Sequence, residues 1–190
     1  RFRIEAKLLS NGHGAVYSLV LMGAGGERHY SANAVLHAAP QGAPVAIPAT
    51  ASLEPGKGEV YGGVLFHGRE FQAIRELEGV SREGGAARLV GAQALGWQGA
   101  FETDPALLDG GLQLALLWTE HAIGGASLPT SVQGFHVYSQ GLAEGDLRCI
   151  LTARETNAAR GICDLFFVDQ GGKPVAELRG VQTHVLPGTR

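Results

Sequence analysis

Residues 103–125 read TDPALLDGGLQLALLWTEHAIGG, and the reading of this stretch decides the fold. Thr103 or Asp104 can accept hydrogen bonds from the first free N–H groups of a helix. Pro105 suits the first helical position, where its missing N–H is not needed. Leu107, Leu108, Leu112, Leu114, Leu116, Leu117 and Trp118 follow as far as His121, and Gly124-Gly125 stops the run. Apolar residues nearly encircle the predicted helix, which makes it a buried helix and not a surface one. Inside it, Asp109 and Gln113 are four apart and so share one face, one turn from each other. An ionised Asp among leucines is costly unless paired, and burial tends to raise its pKa. A carboxyl that stays protonated near neutral pH can serve as a general acid. The competing reading places this Asp at an exposed end, with Gln113 satisfying a backbone group. Gly110-Gly111, beside Asp109, each cost such a helix up to ~1 kcal/mol relative to Ala. Their presence implies close approach there, by a substrate or by a facing strand.

Around this helix the sequence reads as strands. Phe2, Ile4 and Ala6 fall on one face, Asn11-Gly12-His13-Gly14 turns, and Val16–Met22 and Arg28–His37 complete a meander of three antiparallel strands. Pro40, Pro44, Pro48 and Pro55 then recur among Ala, Gly and Thr, so 39–56 is expected to be a proline-rich linker or surface strap. A short apolar piece, Val60 to Phe66, leads to Phe71–Val80, a turn at Ser81–Gly85, and Ala86–Val90. After the helix come Ser131–Tyr138, Asp146–Glu155, Gly161–Val168 and Pro174–Leu186, the last two joined by the hairpin signal Asp169-Gln170-Gly171-Gly172-Lys173. One buried helix wrapped by a curved antiparallel sheet is an α+β architecture, the hotdog arrangement. Residues 57–190 make one complete example, and 1–38 are expected to be the final strands of a preceding one. A chain that opens in mid-strand is expected to be a piece of something longer.

Composition narrows the function classes. The 190 residues are 45% hydrophobic and 17% charged, enough to build a core and too apolar for a disordered segment. With 15 Lys+Arg against 18 Asp+Glu there is no basic excess for a phosphate backbone, so nucleic acid is not the expected partner. No run approaches the ~20 apolar residues of a membrane span. Cys149 and Cys163, amid apolar residues, read as buried thiols in a reducing compartment, and the expected setting is cytoplasmic. Glycine, 29 of 190, is about twice the usual ~7%, which indicates many turns between short strands. The histidines show no metal-ligand spacing, and no nucleophile elbow, P-loop or dinucleotide fingerprint is present. His67, beside Gly68 in an apolar stretch, reads by itself as a core or turn residue.

Four segments, in order, resemble the second half of the dehydratase domain of polyketide and polyunsaturated fatty-acid synthases. LFHGREFQ at 65–72 is similar to the family's Tyr-Gly-Pro-x-Phe segment and nearest its Phe-His-Gly variants. DPALLDGGLQ at 104–113 resembles the Asp-x-x-x-Gln/His helix, SLPTSVQGFHVY at 127–138 the Leu-Pro strand, and FFVDQGGKPVAELRGV at 166–181 the closing hairpin. The resemblance implies a double hotdog that eliminates water from a β-hydroxyacyl thioester carried on the phosphopantetheine of an acyl carrier protein. It implies no metal or redox cofactor bound by the domain. Neighbouring synthase domains are implied partners, and a homodimer is compatible with it. Carried over, Asp109 is the acid and Gln113 orients it or touches the hydroxyl. His67, Gly68, Phe71, Leu112 and Pro129 would line the acyl tunnel.

Departures accompany the match. The family's base lies in a His-x-x-x-Gly-x-x-x-x-Pro segment, and these 190 residues contain none; His121 has Gly125 at the right offset, but Pro129 comes one residue early. Arg69 stands where the family has proline after the glycine, and Thr130 and Ser131 where it has aromatic residues after Leu128-Pro129. Three readings follow: the acid half of an active dehydratase, a dehydratase-like domain with a structural or chain-shaping role, or a product-template cyclase.

Overall fold

A computed structural model describes residues 1–12, 14–36, 59–143 and 145–188. The chain divides into two compact units, Arg1–Ala43 and Pro44–Arg190. The proline-rich linker expected at 39–56 lies outside the described residues.

The first unit is the expected meander: β1 (Arg3–Asn11), β2 (Ala15–Met22) and β3 (Arg28–Leu36), paired antiparallel in that order. Register sorts the side chains by polarity, because residues aligned across strands share a face. Ile4, Leu21 and Tyr30 align, as do Ala6, Leu19 and Ala32, and then Leu8, Tyr17 and Ala34. The rows between them, such as Lys7, Ser18 and Asn33, are mostly polar. One side of this sheet therefore has the composition of a core face, and Ile4, Leu8 and Tyr30 on it are exposed.

The second unit is a seven-stranded antiparallel sheet around one helix. Its strands are β4 (Ile74–Val80), β5 (Gly84–Leu89), β6 (Ser127–Ser131), β7 (Gly134–Val137), β8 (Leu147–Thr156), β9 (Arg160–Val168) and β10 (Pro174–Val185). They run β4-β5-β8-β9-β10-β6, and β7 also pairs with β10. The helix α1 (Pro105–Ile123) lies against β4, β5, β6, β8, β9 and β10, which is the hotdog arrangement. Alternation along β9 shows how the sheet divides. Cys163, Leu165 and Phe167 join Leu107, Leu114 and Trp118 of α1 in the core, while Phe166 and Val168 form a separate cluster with Ile150. Long polar side chains cover that second side, with the Arg179 guanidinium 4.4 Å from the centre of the Phe166 ring.

The strand expected at Ser131–Tyr138 is the shorter β7, and a second strand not expected from the sequence, β6, precedes it, ending at Ser131; each pairs with part of β10. The break is imposed from across the sheet. Gly180 has a left-handed φ of +58° where the β9–β10 register shifts between Leu178 and Val181. Opposite it the Gln133 N–H bonds the Arg179 carbonyl between the two short strands. The apolar piece Val60 to Phe66 forms no strand, and Arg69–Phe71 is a single 3-10 turn. No helix among the described residues is long and apolar enough to cross a membrane.

Candidate active site

Asp104, not Thr103, caps the helix. Its carboxylate accepts from Ala106 N–H and Leu107 N–H, and also from Ala92 N–H at 3.0 Å and Ala143 N–H at 3.4 Å. One buried side chain thus ties two distant loops to the start of α1. The glycines one turn on are explained by facing strands. A Cβ on Gly110 would lie 3.0 Å from the Ala73 Cβ, and one on Gly111 would lie 2.5 Å from the Phe167 Cζ. Close approach of α1 to the sheet leaves the next face, with Leu108, Asp109 and Leu112, only partly covered. Asp109 is therefore neither sealed in the core nor at a free helix end.

Gln113, by contrast, is buried, and its amide is fully engaged. Its Nε2 donates to Asp109 Oδ2 at 2.7 Å and to the Phe71 carbonyl at 2.7 Å, while its Oε1 accepts from the Tyr61 hydroxyl at 2.7 Å. Tyr61 in turn accepts from the Ile74 N–H at 2.7 Å. Two backbone groups fix the direction of every bond in this chain. The Ile74 N–H can only donate, which leaves the phenolic proton for Gln113 and makes the facing Gln113 atom the oxygen. The Phe71 carbonyl can only accept, so the other atom is the nitrogen. Both ends demand the same amide orientation. Asp109 Oδ2 is consequently an acceptor, and a proton on this carboxyl belongs on Oδ1. Burial, opposed by the Ile74 bond and aided by the Asp109 charge, pushes the Tyr61 phenol up to about 12, so it holds its proton at neutral pH.

The structure gathers some of the expected tunnel residues at this cluster. Phe71 brings its carbonyl to Gln113, and its exposed ring meets Trp97 edge-on at 5.2 Å. Gly68 opens the 3-10 turn, its carbonyl accepting from the Phe71 N–H. The His67 carbonyl accepts from Gln72 Nε2, and its ring stacks on Phe66 with centroids 5.0 Å apart. Its Nδ1 is buried without a partner among the described residues. Leu112 shares the partly covered helix face with Asp109. Pro129 sits on β6 opposite Thr183, away from the hydrogen-bonded cluster. Arg69 is exposed and has no ion pair among the described residues. Tyr61 and Trp97 were not singled out from the sequence. An aromatic residue a few positions ahead of the Phe-His-Gly segment was the only available signal for Tyr61.

Comparison with known proteins agrees with this fold. The bifunctional dehydratase–cyclase domain of ambruticin biosynthesis superposes with a TM-score of 0.68 at 20% identity, covering 96% of this chain and 68% of that one. The dehydratase domain from the CurF module of the curacin polyketide synthase gives 0.69 at 18% identity, over 97% and 68%. The dehydratase domain of PpsC from Mycobacterium tuberculosis gives 0.69 at 19%, over 96% and 68%. At such identities the likeness is one of fold. No curated protein sequence matches significantly. The family model described as the polyketide synthase dehydratase N-terminal domain matches residues 38–190. That description names the N-terminal domain, whereas the Asp109–Gln113 helix is the feature by which the sequence resembles a second hotdog. Since the match covers most of its length, the chain belongs to the polyketide synthase dehydratase family.

Proposed function

We propose that residues 57–190 are the acid-bearing second hotdog of a dehydratase that removes water from a β-hydroxyacyl thioester carried on an acyl carrier protein. The observation that carries this reading is the 2.7 Å bond from Gln113 Nε2 to Asp109 Oδ2 on a helix face left partly open. In the elimination a base takes the α-proton, and its electron pair becomes the Cα–Cβ double bond. The Cβ–O bond breaks, and the departing hydroxyl leaves as water with the proton from Asp109 Oδ1. Gln113 then donates to the carboxylate that remains, which stabilises it where charge develops. This reading requires a base from a His-x-x-x-Gly-x-x-x-x-Pro segment, which these 190 residues do not contain, so the 190 residues alone are expected to show little or no turnover.

The test is Asp109→Asn in the full-length protein containing these residues, with a 3-hydroxyacyl thioester as substrate. Loss of at least 10²-fold in turnover is expected, in the range of general acid–base catalysis. Full activity would sink the assignment. A second reading, a dehydratase-like domain without turnover, is favoured by the absent base segment and by Arg69. A His-x-x-x-Gly-x-x-x-x-Pro segment within ~90 residues upstream would remove most of its support.

A further inference from the structure

Gln113 can serve Asp109 in two ways, and only one of them leaves the acid usable. With its nitrogen toward Asp109, the amide donates to Oδ2 and the carboxyl proton stays on Oδ1, which has no hydrogen-bond partner among the described residues. With the amide turned over, its oxygen faces the carboxyl, and a protonated Asp109 donates into the helix instead of to a leaving group. The Phe71 carbonyl opposes that rotation by repelling the amide oxygen, but it is a single partner. The Tyr61 hydroxyl supplies the second restraint. It is itself anchored by the Ile74 N–H at the first residue of β4, and it stands in an open cleft of about 560 Å³ with Glu59, Gln72 and Arg75.

We propose that Tyr61 is a positioning residue for the dehydration: by holding Gln113 Oε1 it keeps the amide nitrogen on Asp109 and the transferable proton on Oδ1. This rests on Asp109 being the acid. Among the described residues the Tyr61 hydroxyl bonds Gln113 and the Ile74 N–H and makes no hydrogen bond to Asp109, so its effect on the acid passes through Gln113. A residue that merely packed would lack that dependence.

The experiment is a double-mutant cycle in the full-length protein, read with a 3-hydroxyacyl thioester, together with side-chain amide NMR of Gln113. Tyr61→Phe is expected to lower kcat about tenfold, the scale of one lost hydrogen bond, with KM unchanged within twofold. In a Gln113→Leu background the same change is expected to cost less than twofold. In the NMR measurement the Gln113 amide protons follow the ionisation of Asp109, Asp109→Asn abolishes that response, and Tyr61→Phe at least halves it. Additive kcat losses in the double variant, or an undiminished amide response in Tyr61→Phe, would overturn the positioning role. Should Asp109→Asn keep full turnover while Tyr61→Phe still weakens the amide response, the acid assignment falls and the Tyr61–Gln113–Asp109 linkage stands.

Discussion

Replacing Gly111 by Ala sets two opposing effects against each other, and the structure decides the sign. In an exposed helix interior Gly→Ala would stabilise by about 1 kcal/mol, because Gly loses more backbone freedom on folding. Here the new methyl would lie 2.5 Å and 2.8 Å from two atoms of the Phe167 ring and 3.2 Å from Leu165 Cδ1. Phe167 is 1% exposed, so its ring has no free space to enter. Overpacking of this kind costs about 1–3 kcal/mol and outweighs the propensity gain. The expected net is a loss of about 1–2 kcal/mol, or a fall in melting temperature of roughly 3–6 °C for a unit of this size. Gly110→Ala is the internal control. Its nearest contacts are 3.0–3.2 Å, two of them to flexible ends of Leu89, so cost and gain nearly cancel and the change stays within about 0.5 kcal/mol. Urea unfolding followed by circular dichroism measures both variants. A Gly111→Ala protein as stable as the parent, or more so, would refute the packing account and return the glycine pair to the substrate side of the helix.

Asp104→Ala is expected to cost about 2–3 kcal/mol, since it removes a helix cap and also strands the Ala92 N–H, with Asp104→Asn recovering most of it; thermal unfolding reads both. Asp164 accepts from Arg154, Arg179 and the Gly180 N–H and is 8% exposed, so Asp164→Ala is expected to cost about 2–3 kcal/mol in urea titration. Glu5→Ala, which breaks an exposed pair with Arg3, is expected to change stability by less than about 0.5 kcal/mol in the same assay. The Tyr61 phenol, held near 12 against an ordinary value of 10.0, keeps a proton that the unfolded chain releases first. Its contribution is complete below pH 10 and disappears as pH rises toward 12, and the buried thiols Cys149 and Cys163, also raised by desolvation, act in the same direction. Wild type should therefore lose about 1 kcal/mol more than Tyr61→Phe between pH 8 and pH 11, after allowing for solvent screening of a half-buried group. Equal losses in urea unfolding would contradict this.

The sequence made legible those features that neighbours in the chain dictate. Asp104-Pro105 and Gly124 bound the helix because capping and helix termination are local chemistry, and the Asp169–Lys173 turn closes on its own Asp169 side chain. The Asp109–Gln113 pair was visible because a helix brings residues four apart together. What escaped depends on distant partners. The split between β6 and β7 is set by Gly180, some fifty residues later, and nothing in SLPTSVQGFHVY announces it. Tyr61 earns its place from the Ile74 N–H and from Gln113, fifty-two positions away. Asp104 was readable as a cap but not as an anchor for Ala92 and Ala143.

The sheet order also governs how the second unit can be assembled in time. β10 is hydrogen-bonded to β9 on one side and to β6 and β7 on the other. During synthesis β6 and β7 emerge more than thirty residues ahead of it, and neither has another strand partner among the described residues. Their edges stay open, and α1 stays uncovered along that flank, until Pro174–Val185 has left the ribosome. The hotdog therefore closes late and all at once, a non-local topology that slows folding and exposes strand edges to other chains. A stop before residue 174 would lose three strand pairings together and leave a species prone to aggregate.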